Sequence, residues 1–274
     1  MGDGPPIVVV HGGPDFDHAY LLPELDRLAE AFRLVYYDQR GRGRSAEGVR
    51  PDDVTIRSEV DDLDRVRSGL GLDSIAVLGH SWGGVLAMEY AVRHPDRVSQ
   101  LILLDTAPAS AGDWQALREE LVRRRPAEDA EAIEAIASTD AFRRGELEAE
   151  AKYYRIHFGM TLPRRELLEA LVTRLRAGWT EDGVLLARAI EHRLYDETSR
   201  SADWDLFPAL RELDVPTLLL HGEHDFIPVE LAARIADAIP HARLSVLSGC
   251  GHFTFLEAAE QVFAEVARFC ARPR

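Results

Sequence analysis

The stretch Leu78-Gly79-His80-Ser81-Trp82-Gly83-Gly84 constrains this chain more than any other. A short apolar run over 74–78 precedes it, and residues 85–92 follow with helical spacing. That order predicts strand, tight turn and helix, with Gly-x-Ser-x-Gly at the turn. Lifting a serine hydroxyl clear of a sheet takes a sharp turn and a strained serine backbone. Glycines on either side avoid the Cβ clashes such a turn creates. The hydroxyl is then open to a substrate on one side and a base on the other.

Strands and helices alternate around that turn. Apolar runs over 7–10, 33–37 and 98–104 read as strands buried on both faces. Helical patterns fall at 21–32 and 52–70. The alternation predicts an α/β chain with a mostly parallel, doubly wound sheet. From about 109 to 208 it breaks into Arg/Glu/Ala-rich helical stretches at 114–125, 128–137, 147–157, 166–177 and 184–195. An all-helical insertion between βα units reads as a cap over the sheet's active edge. The sheet resumes at 216–220 and 243–247, with helices at 229–239 and 257–270. The expected division is a core of 1–108 and 209–274 and a helical cap of 109–208.

A net charge of -15 argues against nucleic acid or an anionic membrane as partner. No apolar run is long enough to span a bilayer, and no basic leader precedes the first strand. Pro6 stands where myristoylation of Gly2 needs Ser or Thr. Two cysteines, Cys250 and Cys270, make no disulfide framework. The expectation is a cytoplasmic protein acting on a small molecule without a cofactor; the oligomeric state is open.

A serine hydroxyl needs a neighbouring base, and the base an orienting acid. In parallel sheets such groups gather after the carboxyl ends of strands. Ser81, Asp225 and His252 all do, in that order. Asp105 also ends a strand and is an alternative acid. The developing oxyanion needs two N–H donors, expected from Trp82 and Gly13, with Gly12 second. His80 reads as packing beside Ser81, and Cys250 as a small core residue. His221, His224 and Asp225 resemble a metal cluster but lack a third histidine, so no metal is expected. Residues 38–45, with three arginines and two glycines, lack the Lys-Ser/Thr of a phosphate loop. They read as structural, with Asp38 paired to Arg40.

His-Gly-Gly-Pro at 11–14, Asp-Gln-Arg-Gly-Arg-Gly-Arg-Ser at 38–45 and Ser81-Trp82-Gly83-Gly84 resemble the α/β-hydrolase fold superfamily, within it the proline iminopeptidase-like branch. The likeness implies a triad of Ser81, Asp225 and His252 and a cap that shapes the substrate pocket. The chain departs from that branch at Asp15, where the branch has glycine, and at Phe226, where some of its aminopeptidases carry a carboxylate. The strand pair that precedes the first core strand is also missing. Residues 187–192 resemble the segment whose glutamate binds the substrate's free amine, which implies Glu191 as anchor; a cap-internal salt bridge is the alternative. Trp179, Phe158, Tyr153 and Phe226 are candidate apolar lining. The implied activity is release of an N-terminal residue through an acyl-enzyme. A carboxylesterase and a triad-bearing ligand receptor with slow turnover are the alternatives.

Overall fold

The carboxyl ends of six parallel strands form the edge on which everything else is built. The computed structural model describes residues 1–271. The strands are β1 (Pro6–Val10), β2 (Arg33–Tyr36), β3 (Ile75–His80), β4 (Val98–Leu104), β5 (Thr217–Gly222) and β6 (Ala242–Leu247). Their order in the sheet is β2-β1-β3-β4-β5-β6, and every neighbouring pair is parallel. The chain steps outward from β1 to β2, then returns to lay β3 on the other side of β1. The loops after β1 and β3 therefore part in opposite directions and open a crevice between them.

Helices α1 (Ile56–Gly69) and α2 (Trp82–Arg93) precede β4. Between β4 and β5 come α3 (Ala111–Arg124), α4 (Ala127–Ala137), α5 (Asp140–Arg143), α6 (Leu147–Gly159), α7 (Leu168–Leu175), α8 (Glu181–Glu197) and α9 (Phe207–Leu210). After β5 come α10 (Val229–Ala238), α11 (Thr254–Glu257) and α12 (Ala259–Cys270). β1, β3 and β5 are buried along nearly their whole length because both faces are covered, whereas β6 at the sheet edge carries Arg243 and Ser245 and is only partly buried. Ile7, Val9, Leu78, Ile102 and Leu218 pack with Val262 and Val266 of α12. Val8, Val10, Val77, Leu101 and Leu219 pack with Leu63 of α1, Leu86 of α2 and Ile235 of α10. No helix among the described residues is long and apolar enough to cross a membrane.

Two local expectations are corrected. The apolar pattern over 21–32 is not one α-helix but two 3-10 turns, His18–Leu21 and Glu24–Glu30, either side of Pro23, which has no N–H to carry a helix through. Asp38 does not pair with Arg40. Arg40 reaches outward to grip both oxygens of Asp62 on α1, at 2.8 and 2.7 Å. Asp38 turns inward and accepts from the backbone N–H of Arg44 at 3.0 Å and from the His18 ring.

The same loop carries a fully buried ion pair. Arg42, 0% exposed, donates to Glu59 at 2.9 Å and to the Gln39 side-chain oxygen at 2.7 Å. Burial pushes the Glu59 carboxyl up, and the guanidinium opposes that. Arg42→Ala would strand a buried carboxylate, so it should lower unfolding stability by about 3–5 kcal/mol. Urea unfolding checks this; a loss below about 1 kcal/mol would contradict the pair's structural role.

Candidate active site

Ser81 sits between β3 and α2 with φ 55° and ψ -119°, a region closed to most side chains. The flanking glycines make the turn feasible. A Cβ on Gly79 would lie 2.3 Å from the Gly83 carbonyl oxygen, and one on Gly83 2.2 Å from that of Val10. The backbone is gripped on both sides: Ser81 N–H donates to Leu104 at 2.9 Å, and its carbonyl accepts from Ala107 at 3.0 Å.

His252, in the loop after β6, places Nε2 3.0 Å from Ser81 Oγ. Its Nδ1 lies 2.9 Å from both Asp225 oxygens. Burial pushes the imidazolium down, so the ring is neutral at neutral pH. With Nδ1–H given to Asp225, the Nε2 lone pair faces the serine hydroxyl. Burial pushes the Asp225 carboxyl up, while the N–H of Ile227, 2.9 Å away, favours its charged form. Asp105 does other work. Its oxygens accept from Gly222 N–H, Thr254 N–H and the Thr254 hydroxyl, tying the end of β5 to the loop after His252. Asp105, His221 and Asp225 bring buried ligand atoms within 4.8 Å of one another, yet His221 Nε2 donates to the Ile227 carbonyl, and His224 is exposed. Burial pushes the Cys250 thiol up to about 11, away from nucleophilic character.

Gly13 and Trp82 line the cavity above Ser81, and among the described residues neither backbone N–H has an acceptor. For Trp82 this follows from its place as the first residue of α2. Gly12 is corrected as a donor to substrate. Its N–H is already given to the Tyr20 hydroxyl at 2.8 Å, and a Cβ there would lie 2.9 Å from the His80 carbonyl oxygen. That hydroxyl lies 2.7 Å from His80 Nδ1, and His80 Nε2 lies 3.0 Å from the His252 carbonyl. His80 thus links the loop after β1 to the loop that carries His252, which its position beside Ser81 did not disclose.

Thr161, just past α6, was missed altogether. Its carbonyl accepts from His252 N–H and its hydroxyl from Phe226 N–H, each at 3.2 Å. One inserted residue therefore holds both loops that carry Asp225 and His252. The one local signal is Gly251, whose Cβ would fall 1.7 Å from the Thr161 oxygen.

The cavity over Ser81 measures about 540 Å³ and is walled by core and insertion together. Phe158, Tyr153, Phe226 and Glu191 line it. Phe226 packs on the His252 ring, centroids 4.4 Å apart. Trp179 is corrected: it stands behind the wall, its indole N–H donating to Asp17 and its face under Arg176 at 4.6 Å. Asp15 is buried and paired with Arg176, which also meets Glu150; Arg188 pairs with Glu150 as well. These two guanidiniums serve Asp15 and Glu150, so Glu191 is the surplus carboxyl. Burial, then the charge of Asp15, pushes it up to about 8.

That shift has a stability consequence. Between its unfolded value near 4.5 and about 8, Glu191 holds a proton only in the folded chain, so its contribution falls as pH rises through that window. Glu191→Gln should therefore stabilise the fold by on the order of 2 kcal/mol at pH 8 and by little at pH 5. Equal effects at both pH values, read by urea unfolding, would contradict the assignment.

Residues 5–259 match the family model described as the alpha/beta hydrolase fold. A proline iminopeptidase of Lactobacillus helveticus is 30% identical over 265 residues, covering 95% of this chain and 87% of the relative. The crystal structure of a proline iminopeptidase from Mycobacterium smegmatis superposes with a TM-score of 0.71 at 28% identity, over 97% of this chain and 88% of that one. A thermophilic esterase from Thermogutta terrifontis, with malate bound, gives 0.67 at 27% identity, over 98% and 90%.

Proposed function

The chain belongs to the α/β-hydrolase fold family, in its proline iminopeptidase-like branch, and from that premise we propose that it releases the N-terminal residue of short peptides or amides through an acyl-enzyme on Ser81. His252 takes the Ser81 proton as Oγ attacks the carbonyl carbon, and Asp225 holds the imidazolium that forms. The N–H groups of Gly13 and Trp82 receive the developing oxyanion. His252 then gives its proton to the leaving amine, and water, deprotonated by the same ring, hydrolyses the ester. The helical insertion serves as a cap that closes the acyl pocket.

One observation carries the amine preference: Glu191, a carboxyl without an ion-pair partner among the described residues, in the wall of the cavity that holds Ser81. A cation arriving there would draw off the carboxyl proton and complete the charge balance with Arg176 and Arg188. The cavity volume suits a small molecule rather than a folded chain. The aromatic lining and the likeness to an esterase favour a second reading, a carboxylesterase on small esters.

Purified protein is assayed on proline p-nitroanilide, its N-acetyl derivative and p-nitrophenyl acetate. Ser81→Ala should reduce every activity by at least ~10³-fold while the fold persists. Glu191→Gln should cost about 100-fold in kcat/KM on the free-amine anilide and stay within about threefold on the ester. For the anilide alone, kcat/KM should fall as pH drops through about 8, where Glu191 takes up a proton and loses its hold on the ammonium. An N-acetyl anilide cleaved as fast as the free amine would reject the peptidase reading in favour of the esterase.

A further inference from the structure

Helix α3 turns one stripe toward the cavity: Trp114, Leu117, Arg118 and Leu121, three and four residues apart, all line it. Arg118 is the cation of that stripe and is exposed at the mouth. Among the described residues no carboxylate lies within ion-pairing reach of it; its bond is a long one, 3.4 Å, to the Ser199 carbonyl. Its neighbours differ. Glu120 pairs with Arg123 and Arg124 on the same helix, and the other cavity arginine, Arg188, is paired with Glu150. A guanidinium offers five N–H donors in a planar fork that matches a carboxylate.

The same cavity also holds the surplus carboxyl of Glu191, on α8. Ser199 lies eight residues beyond Glu191, just past the end of α8. At 1.5 Å per helical residue, Arg118 is on the order of 10 Å from Glu191. An extended peptide covers about 3.3–3.6 Å per residue, so two or three residues bridge the two charges.

We infer that Arg118 receives the carboxylate of the leaving group, which makes di- and tripeptides with a free C-terminus the substrate class. The inference rests on the proposal that Ser81 is the nucleophile and Glu191 the amine anchor. It adds a second pole, so the cavity selects a zwitterion by its length.

The test uses two substrate pairs and reads kcat/KM ratios. The first is a prolyl dipeptide against its C-terminal amide. The second carries no amine: 4-acetoxybenzoate against its methyl ester, whose leaving groups differ in having or lacking a carboxylate. In each pair the free acid should be favoured about fivefold or more over the ratio given by Arg118→Ala. Arg118→Lys should keep part of the preference, 0.5 M salt should erase most of it, and Arg123→Ala on the same helix should leave the ratio alone. Ratios that Arg118→Ala leaves unchanged in both pairs overturn the inference. Inert peptides with an Arg118-dependent ester ratio would support the carboxylate site and reject the amine reading. Peptide cleavage with no preference for the free acid would do the reverse.

Discussion

The left-handed backbone of Ser81 is the constraint on which the rest of the structure depends. A non-glycine residue persists in that region only when its surroundings over-determine it. Here the surroundings are the sheet itself. The N–H of Ser81 is bonded to the last residue of β4, its carbonyl to the loop after β4, and Gly83 closes against the backbone of β1. The hydroxyl is therefore fixed by three neighbouring strands at the point where strand order reverses. The loops after β1, β5 and β6 then need only reach a position that is already set.

What brings those loops into register is less local. The inserted helices are bonded to the core around the site: Arg176 and Tyr154 to Asp15 beside the Gly-Gly-Pro turn, Thr161 to the residues after Asp225 and at His252, and Arg124 to the Asp225 carbonyl. Buried charge explains the cost and the use of this arrangement. Asp15 and Glu150 are compensated by Arg176 and Arg188, which fixes geometry. Glu191, hydrogen-bonded to Tyr195, is left without an ion-pair partner among the described residues, and that is the basis of the proposed amine anchor.

The parts legible in sequence were the short-range ones. Strands β1, β3 and β5 could be read as apolar runs because burial on both faces removes polar alternation, and Gly79 and Gly83 announced the turn at Ser81 because a Cβ on either would strike backbone. Asp225, His252 and Ser81 lie within hydrogen-bond distance of one another in that order, since each sits in the loop or turn after a strand of one parallel sheet. Partner choice between distant segments was not legible. Asp38 and Arg40 are two residues apart but face opposite sides of their loop. Trp179 and Phe158 look alike in sequence, yet only the second reaches the cavity. Thr161 acts largely through its backbone carbonyl, which no residue type reveals, and Gly12 lost its free N–H to a tyrosine eight residues on.

The central claim, that His252 and Asp225 make Ser81 a nucleophile, is tested most directly by intact-mass analysis after reaction with a fluorophosphonate. The account predicts one added phosphonyl group per chain, located on the peptide that contains Ser81. It also predicts labelling slowed by orders of magnitude in His252→Ala. An unlabelled protein, or label on another residue with Ser81 untouched, would contradict it.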